Sequence, residues 1–267
     1  MERLLLLSIL NVLLNLSRAV PATVLPTDQD VESQPDERDV SSRILEANKE
    51  ISEMLLEGDV ALPRTRNAMK CLSSYCKWPK SSSGRVEVPY TIADFFYTEE
   101  KAVIVSAMKS IAEKTCISFV PRTNQVEYIS IESLVGCWSN VGPSGGKQQL
   151  SLSVEGCVYY GIVEHELLHA LGFHHEHTRS DRDQYVRINW ENIPQASANN
   201  FEKKDTNNLK TPYDYNSIMH YGRTSFSLQY GKETITPIPD PSVKIGQRQE
   251  MSNIDIQRIN KLYECAL

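Results

Sequence analysis

Residues 165–175 read H-E-L-L-H-A-L-G-F-H-H, and this stretch decides the fold. His165 and His169 are four residues apart on a predicted helix, residues 161–171, so both imidazoles project from one face, within reach of one metal ion. Glu166 follows the first histidine, where a general base for an attacking water is needed. Gly172 permits a backbone turn that brings His175 round as a third ligand. Three nitrogen ligands with an open fourth position are typical of a catalytic zinc site.

A helix that merely carries surface histidines is the alternative interpretation. A bare H-E-x-x-H arises by chance in roughly one chain in a hundred of this length. The glycine and the third histidine, at the offsets found in metzincins, make coincidence far rarer. The same register selects His175 over His174, which we expect to be an exposed neighbour, and over the more distant His177 and His220.

A second motif, residues 217–221, reads S-I-M-H-Y. In metzincins a turn with a methionine lies under the zinc site as an apolar floor, and Met219 is placed to do this. Alone, the motif could equally be the end of a buried strand. Together with the histidines, it favours a floor beneath the metal.

The ends and the cysteines of the 267-residue chain indicate an exported protein. Residues 1–19 combine Arg3, a short apolar run and small residues, as a signal peptide does, although a buried N-terminal helix is the alternative. No other segment is apolar enough for a membrane span. Six cysteines downstream of the signal predict three disulfides, since the C-x-x-C pairs of a structural zinc site are missing from the sequence.

Residues 20–66 read as a propeptide. Residues 1–66 together hold 7 basic and 12 acidic residues. Residues 67–267 hold 21 basic and 22 acidic residues, and this nearly neutral charge gives no support for nucleic-acid binding. We expect little structure in residues 20–50 and a weak amphipathic helix in residues 44–56. The basic, turn-prone residues 63–66 predict processing after Arg66, although an ordinary exposed loop would look the same.

From Asn67 onward the pattern is globular and predicts an α+β fold. Alternating apolar residues predict strands at residues 86–90, 128–131 and 149–154. Helices are predicted at residues 98–114, 161–171 and 252–263, the last with Ser252 as its N-cap and Asp255 closing a capping box. The stretches between elements are long and irregular in the second half.

Residues 165–186, H-E-L-L-H-A-L-G-F-H-H-E-H-T-R-S-D-R-D-Q-Y-V, and residues 217–221 resemble the astacin metalloproteases, and the resemblance extends over residues 67–267. It implies a metzincin-type, two-lobed catalytic domain. The N-terminal lobe would hold a twisted sheet and two helices, and the C-terminal lobe would be mostly irregular with a last helix. It also implies a zinc endopeptidase with one Zn²⁺ in each catalytic domain.

The resemblance assigns further roles. Tyr221 would ligate the zinc at rest and move to stabilise the oxyanion, and Glu176 would pair with the amino group of a mature N-terminus at Asn67. Residues 56–59, L-E-G-D, resemble the F-x-G-D switch of the family, whose aspartate, here Asp59, occupies the open zinc position in the zymogen. Leu56 replaces the usual Phe in that motif. Without the resemblance, the Gly-Asp pair is simply a turn.

The cysteines fit the same family, which joins the equivalents of Cys116 to Cys265 and of Cys137 to Cys157. The remaining pair, Cys71 and Cys76, resembles the N-terminal bridge of six-cysteine astacins of fish. Within that group, residues 67–71 and 245–249 look most like hatching enzymes (choriolysins), which digest the egg envelope.

The expected protein is therefore secreted, with storage in secretory granules as a further expectation. Its partners would be protein substrates, egg-envelope glycoproteins among them, and an activating protease. A nephrosin-like paralogue with another extracellular substrate, a non-catalytic zinc-binding scaffold and an adhesive matrix protein are the alternatives.

Overall fold

The computed structural model of the chain describes residues 39–62, 77–247 and 249–266. The predicted signal peptide, the pair Cys71 and Cys76, Arg66 and Asn67 all lie outside these ranges. The α-helices are α1 (Val40–Ala47), α2 (Thr98–Lys114), α3 (Tyr160–Ala170) and α4 (Asn253–Leu262). The strands are β1 (Leu55–Leu56), β2 (Val60–Ala61), β3 (Val86–Ile92), β4 (Ile117–Pro121), β5 (Tyr128–Glu132), β6 (Cys137–Trp138), β7 (Lys147–Leu152), β8 (Val186–Ile188) and β9 (Ile235–Pro237). Short 3₁₀ segments occupy Ser52–Met54, Glu176–Thr178, Arg182–Gln184, Trp190–Asn192 and Gln195–Phe201.

Five strands form one mixed sheet in the order β4-β3-β5-β7-β6. The first four are parallel, and β6 pairs antiparallel with β7 at the edge. The predicted strands are confirmed, with one shift: β7 begins and ends two residues before residues 149–154. Its pairing with β5 sets these bounds, because Lys147 lies opposite Tyr128 and Ser151 opposite Glu132.

Helix α2 has the predicted bounds, and its buried face is the predicted one. Ile104, Ala107, Met108 and Ile111 are all at most 3% exposed and belong to the larger apolar core with the sheet and α3. At its N-terminus the Glu100 carboxylate accepts a hydrogen bond from the Tyr97 amide at 2.7 Å. This bond satisfies a free donor of the first turn, so the helix starts where the sequence indicates.

The second half of the chain is mostly irregular, as expected, and has a smaller core of its own. That core includes Val186, Phe201, Tyr213 and Ile235. Helix α4 begins at the predicted capping box of Ser252 and Asp255. It returns to the larger core, since Ile259 and Tyr263 are buried there. The two cores agree with the predicted two-lobed arrangement.

Helix α1 corrects two expectations about the predicted propeptide, residues 20–66. The helix lies at Val40–Ala47, inside the stretch expected to lack structure, and it ends well before the predicted limit of residue 56. Asp39 caps its start, accepting from the Ser42 amide at 2.8 Å. Its end is fixed at Asn48, whose side chain bonds the Gly58 carbonyl at 2.8 Å and the Cys137 amide at 2.7 Å. These long-range bonds, and the β1-β2 hairpin, end the helix where periodicity alone would extend it.

Both disulfides that lie in the described residues match the expected pairing. Cys116 is joined to Cys265 and Cys137 to Cys157, across separations of 149 and 20 residues. In the chain-entropy picture the longer loop stabilises the fold by about 5 kcal/mol. Among the described residues, no helix has the length and apolar character that crossing a membrane requires.

Candidate active site

Helix α3 and the turn after it bring the three predicted histidine ligands together. His165 and His169 lie on one face of the helix with ring centroids 4.9 Å apart. The helix ends at Ala170, and Gly172 adopts a φ of +103°, which the absence of a Cβ permits. The chain then returns, so that the Nε2 atoms of His165 and His175 are 3.1 Å apart.

Asp59, which the family resemblance assigns to the open ligand position, lies beside the three histidines. Its carboxylate oxygens lie 3.0 Å from the His165 Nε2, 3.2 Å from the His169 Nε2 and 3.3 Å from the His175 Nε2. All four ligand atoms are buried and lie within 4.8 Å of one another. Among the described residues, Asp59 Oδ1 and His169 Nε2 have no hydrogen-bond partner. Three imidazole nitrogens and one carboxylate oxygen, two of them otherwise unsatisfied, fit a tetrahedral Zn²⁺.

The opposite ring nitrogens of the ligands are each held by a separate acceptor. His165 Nδ1 donates to the Ile218 carbonyl at 2.9 Å, and His169 Nδ1 donates to the Phe173 carbonyl at 2.7 Å. His175 Nδ1 lies 3.0 Å from a carboxylate oxygen of Glu57. Such contacts fix the tautomer that leaves each Nε2 free to face the metal.

The charges around Asp59 shift the pKa values of the group in opposite directions. Burial would raise the pKa of Asp59, but the charges of His175 and His169 and the hydrogen bond from His165 hold it well below its usual value. Burial lowers the pKa of His169 to about 4. Burial also acts to lower the pKa of His175, but Asp59 and Glu57 raise it to about 9. Both carboxylates, Asp59 and Glu57, therefore raise the pKa of the third histidine, His175.

Glu166 lies beside the histidines with its carboxylate unengaged. The residue is fully buried, and neither of its oxygens has a hydrogen-bond partner among the described residues. Burial, and then the negative charge of Asp59, raise its pKa well above the usual value. A carboxylate with a raised pKa is a better general base near neutral pH than an ordinary one.

Glu57 is a residue that the sequence reasoning missed. It is 1% exposed, and one of its oxygens accepts from His174 Nδ1 at 2.8 Å while the other faces the ring and the backbone amide of His175. Lys204 Nζ lies 3.5 Å away. His174 is therefore only half-exposed, because it is the partner of this carboxylate. No spacing rule marks Glu57, since its partners lie more than a hundred residues downstream.

The S-I-M-H-Y turn connects the two cores. Met219 is buried in the larger core with residues of α3, as expected of an apolar floor, and Tyr221 is buried in the smaller one. The Tyr221 hydroxyl donates a hydrogen bond to the Glu57 carbonyl. Its ring centroid lies 4.7 Å from that of His175, so the predicted tyrosine is next to the ligand group.

Glu176 is buried and accepts hydrogen bonds from several groups of the described chain. Its oxygens accept two bonds from Arg258, one of them at 2.8 Å, one from Arg179 at 3.2 Å and one from the Asp214 amide at 2.7 Å. Three of these donors bind Oε1 and one binds Oε2, so Oε2 can still accept another hydrogen bond. Its predicted partner, Asn67, lies outside the described residues. Arg258 was missed because only the packing of α4 brings it there.

The hairpin of β1 and β2 lies against the edge of the main sheet. The Asp59 carbonyl accepts from the Ser139 amide at 3.0 Å, and the Ala61 amide donates to the Ser139 carbonyl at 2.8 Å. Val60 and Ser139 form a parallel bridge directly after β6. An extended segment thus adds to the sheet edge and reaches the histidines, which is a recognised mode of peptide binding.

Comparisons with known proteins agree with this geometry. The model of the astacin peptidase family matches residues 73–264. The chain is 58% identical to High choriolytic enzyme 1 of Oryzias latipes over 227 residues, covering 85% of this chain and 84% of the relative. It is 58% identical to the Low choriolytic enzyme of the same fish over 229 residues, with the same two coverages.

A solved structure gives the same result. High choriolytic enzyme 1, a hatching enzyme zinc-protease of medaka, superimposes with a TM-score of 0.72 at 60% identity, covering 75% of this chain and all of that one. The expected fold and metal chemistry are thereby confirmed. The chain belongs to the astacin family of peptidases and is a zinc metalloendopeptidase.

Proposed function

We propose that this chain is the latent precursor of a secreted hatching enzyme and that proteins of the egg envelope are its substrates. The observation that carries the proposal is the group of three histidines with Glu166 free beside them and Asp59 at the fourth position. The names of its choriolytic relatives and the high identity to them support the substrate. A nephrosin-like paralogue with another extracellular substrate is the alternative.

The residues divide the work of peptide hydrolysis between them. His165, His169 and His175 would hold the zinc, which when bound supplies the Lewis acidity that activates water and polarises a carbonyl. Glu166 takes the proton of the attacking water and passes it to the leaving amine as the C–N bond breaks. The Tyr221 hydroxyl donates a hydrogen bond to the developing oxyanion.

Latency is the second part of the proposal. Asp59 holds the fourth ligand position, and the Glu57 carbonyl holds the Tyr221 hydroxyl, so neither is available to a substrate. Cutting after Arg66 by an activating protease would release the segment that carries Glu57 and Asp59. The new N-terminus at Asn67 would then reach Glu176 and join the donors already there.

The proposed route out of the cell rests on the chain's N-terminus and its cysteines. Residues 1–19 have the features of a signal peptide, and the two disulfides are of the kind that forms along the secretory route. We also propose that the protein is stored in secretory granules before its release.

The decisive experiment compares the processed protein with its Glu166→Gln variant. Zinc content should be unchanged, and the rate on a peptide substrate should fall by about 100- to 10,000-fold, because the general base is lost. Glu155→Gln, on an exposed side chain of the same type, is the matched control. A Glu166→Gln variant with full activity contradicts the mechanism.

Substrate choice needs a separate measurement. Purified egg-envelope protein and a generic denatured protein are incubated with the processed enzyme, with and without a chelator, and the cleavage sites are mapped. Chelator-sensitive cleavage at a few defined sites in the envelope protein supports the hatching role. Efficient cleavage of the generic protein with the envelope left intact favours the paralogue.

A further inference from the structure

The ring of Tyr221 is enclosed by aromatic side chains, and one of them differs from the rest. His177 stacks on its face, with centroids 3.9 Å apart and planes 28° apart. His175 meets it edge-on at 4.7 Å, and Phe201 does so at 6.0 Å. The contact with His177 is the closest of these three, and it is the one that covers the face of the Tyr221 ring.

His177 is itself held by the body of the protein. It is fully buried, and its Nε2 donates to the Asn200 carbonyl at 2.9 Å. Its own carbonyl accepts from Arg182 at 2.8 Å. Its Nδ1 has no hydrogen-bond partner among the described residues, so this nitrogen contributes no bond that would explain a buried histidine here. None of these anchors belongs to the segment 39–62.

We propose that His177 is a positioning residue for Tyr221. The hydroxyl of Tyr221 now donates to the Glu57 carbonyl, a bond that is lost when the segment leaves. The stack on His177 stays, because its anchors remain in the body of the chain. It holds the ring plane while the hydroxyl turns from the segment to the oxyanion. This inference rests on the proposed role of Tyr221 as the oxyanion donor.

Two variants of the processed protein separate the ring of His177 from its hydrogen bond. His177→Gln keeps an amide donor for the Asn200 carbonyl but removes the ring, and His177→Phe keeps a ring but removes the donor. We expect His177→Gln to lower kcat by about three- to tenfold with KM unchanged, the loss corresponding to one aromatic stack. His177→Phe should retain most of kcat. Should the Gln variant fail to fold, His177→Leu fills the volume without a ring.

A double-mutant cycle with Tyr221→Phe tests the route of the effect. Tyr221→Phe alone should lower kcat on the order of 100-fold, because one oxyanion donor is lost. Adding His177→Gln to it should lower kcat no further, since the hydroxyl being positioned is gone. The proposal would be overturned if His177→Gln lowered kcat equally in the wild-type and Tyr221→Phe backgrounds. It would also be overturned if His177→Phe were as impaired as His177→Gln. A fully active Tyr221→Phe protein would instead refute the proposed role of Tyr221.

Discussion

Replacing Glu57 with Gln should raise the activity of the uncleaved chain. The substitution removes a buried negative charge that contacts Nδ1 of His175, the ring nitrogen that faces away from the metal position. One oxygen of this carboxylate accepts from His174 at 2.8 Å, and the other lies 3.0 Å from His175 Nδ1. Burial acts to raise the pKa of Glu57, but hydrogen bonds and charges from the two histidines hold it well below its usual value. The charge is therefore present at neutral pH.

The size of the effect follows from these contacts. A hydrogen bond to a charged group contributes about 1.5–3 kcal/mol, and one between neutral groups about 0.5–1.5 kcal/mol. Gln keeps the shape of Glu57 but replaces each hydrogen bond to a charged group with one to a neutral group, a loss of about 1 kcal/mol per contact. His174 is 36% exposed, so solvent weakens its share. A total of about 1–2 kcal/mol makes the open state about five- to thirtyfold more populated.

The assay is the initial rate on a quenched fluorescent peptide, measured on zinc-loaded chains that also carry Arg66→Ala to prevent the proposed cut. Glu53→Gln, an exposed residue of the same segment, is the matched control. Asp59→Asn, which weakens the group at the ligand position itself, should raise the rate at least as much. If Glu57→Gln leaves the rate at that of the Glu53 control, the contacts behind His175 contribute nothing to latency.

Three further predictions concern stability. Removing zinc with a chelator should lower the Tm by about 10 °C in a thermal scan, if the metal is present at about 1,000 times its Kd, and added zinc should restore it. Arg258→Gln should lower the free energy of unfolding by about 3–5 kcal/mol in urea, because the buried Glu176 carboxylate loses its two hydrogen bonds from Arg258; an effect no larger than that of the exposed Arg187→Gln would refute this. Ser252→Ala should lower it by about 1 kcal/mol through loss of the α4 cap, with an unchanged m-value.

Local signals in the sequence were sufficient for most of the fold. Helix α2 has its predicted bounds because apolar periodicity and an acidic first turn act within one helix. The proximity of His165, His169 and His175 was likewise predictable, since helical spacing and one glycine decide their arrangement. These features depend on residues less than a dozen positions apart.

The misses share a different cause, which is contact over long separations. Asn48 ends α1 through bonds to the Cys137 backbone 89 residues away, and a helical pattern does not contain that information. Glu57 meets His175 across 118 residues, and Arg258 meets Glu176 across 82. In each pair the missed residue, Asn48, Glu57 or Arg258, looks like an ordinary surface group in the sequence. Only the tertiary fold makes them buried partners.

The hairpin of residues 55–61 accounts for the way these contacts act together. Glu57 and Gly58 both have positive φ, at 49° and 78°, so the tight turn directs the Glu57 carbonyl to Tyr221 and the Asp59 carboxylate to the histidines. A Cβ on Gly58 would lie 2.4 Å from the Leu45 side chain and 3.1 Å from the Tyr221 hydroxyl, so a larger residue would strain the turn and displace both side chains. Because one turn supplies the contacts of both Glu57 and Asp59, departure of the hairpin releases them together. The proposed latency is therefore lost in one step, when the whole hairpin leaves.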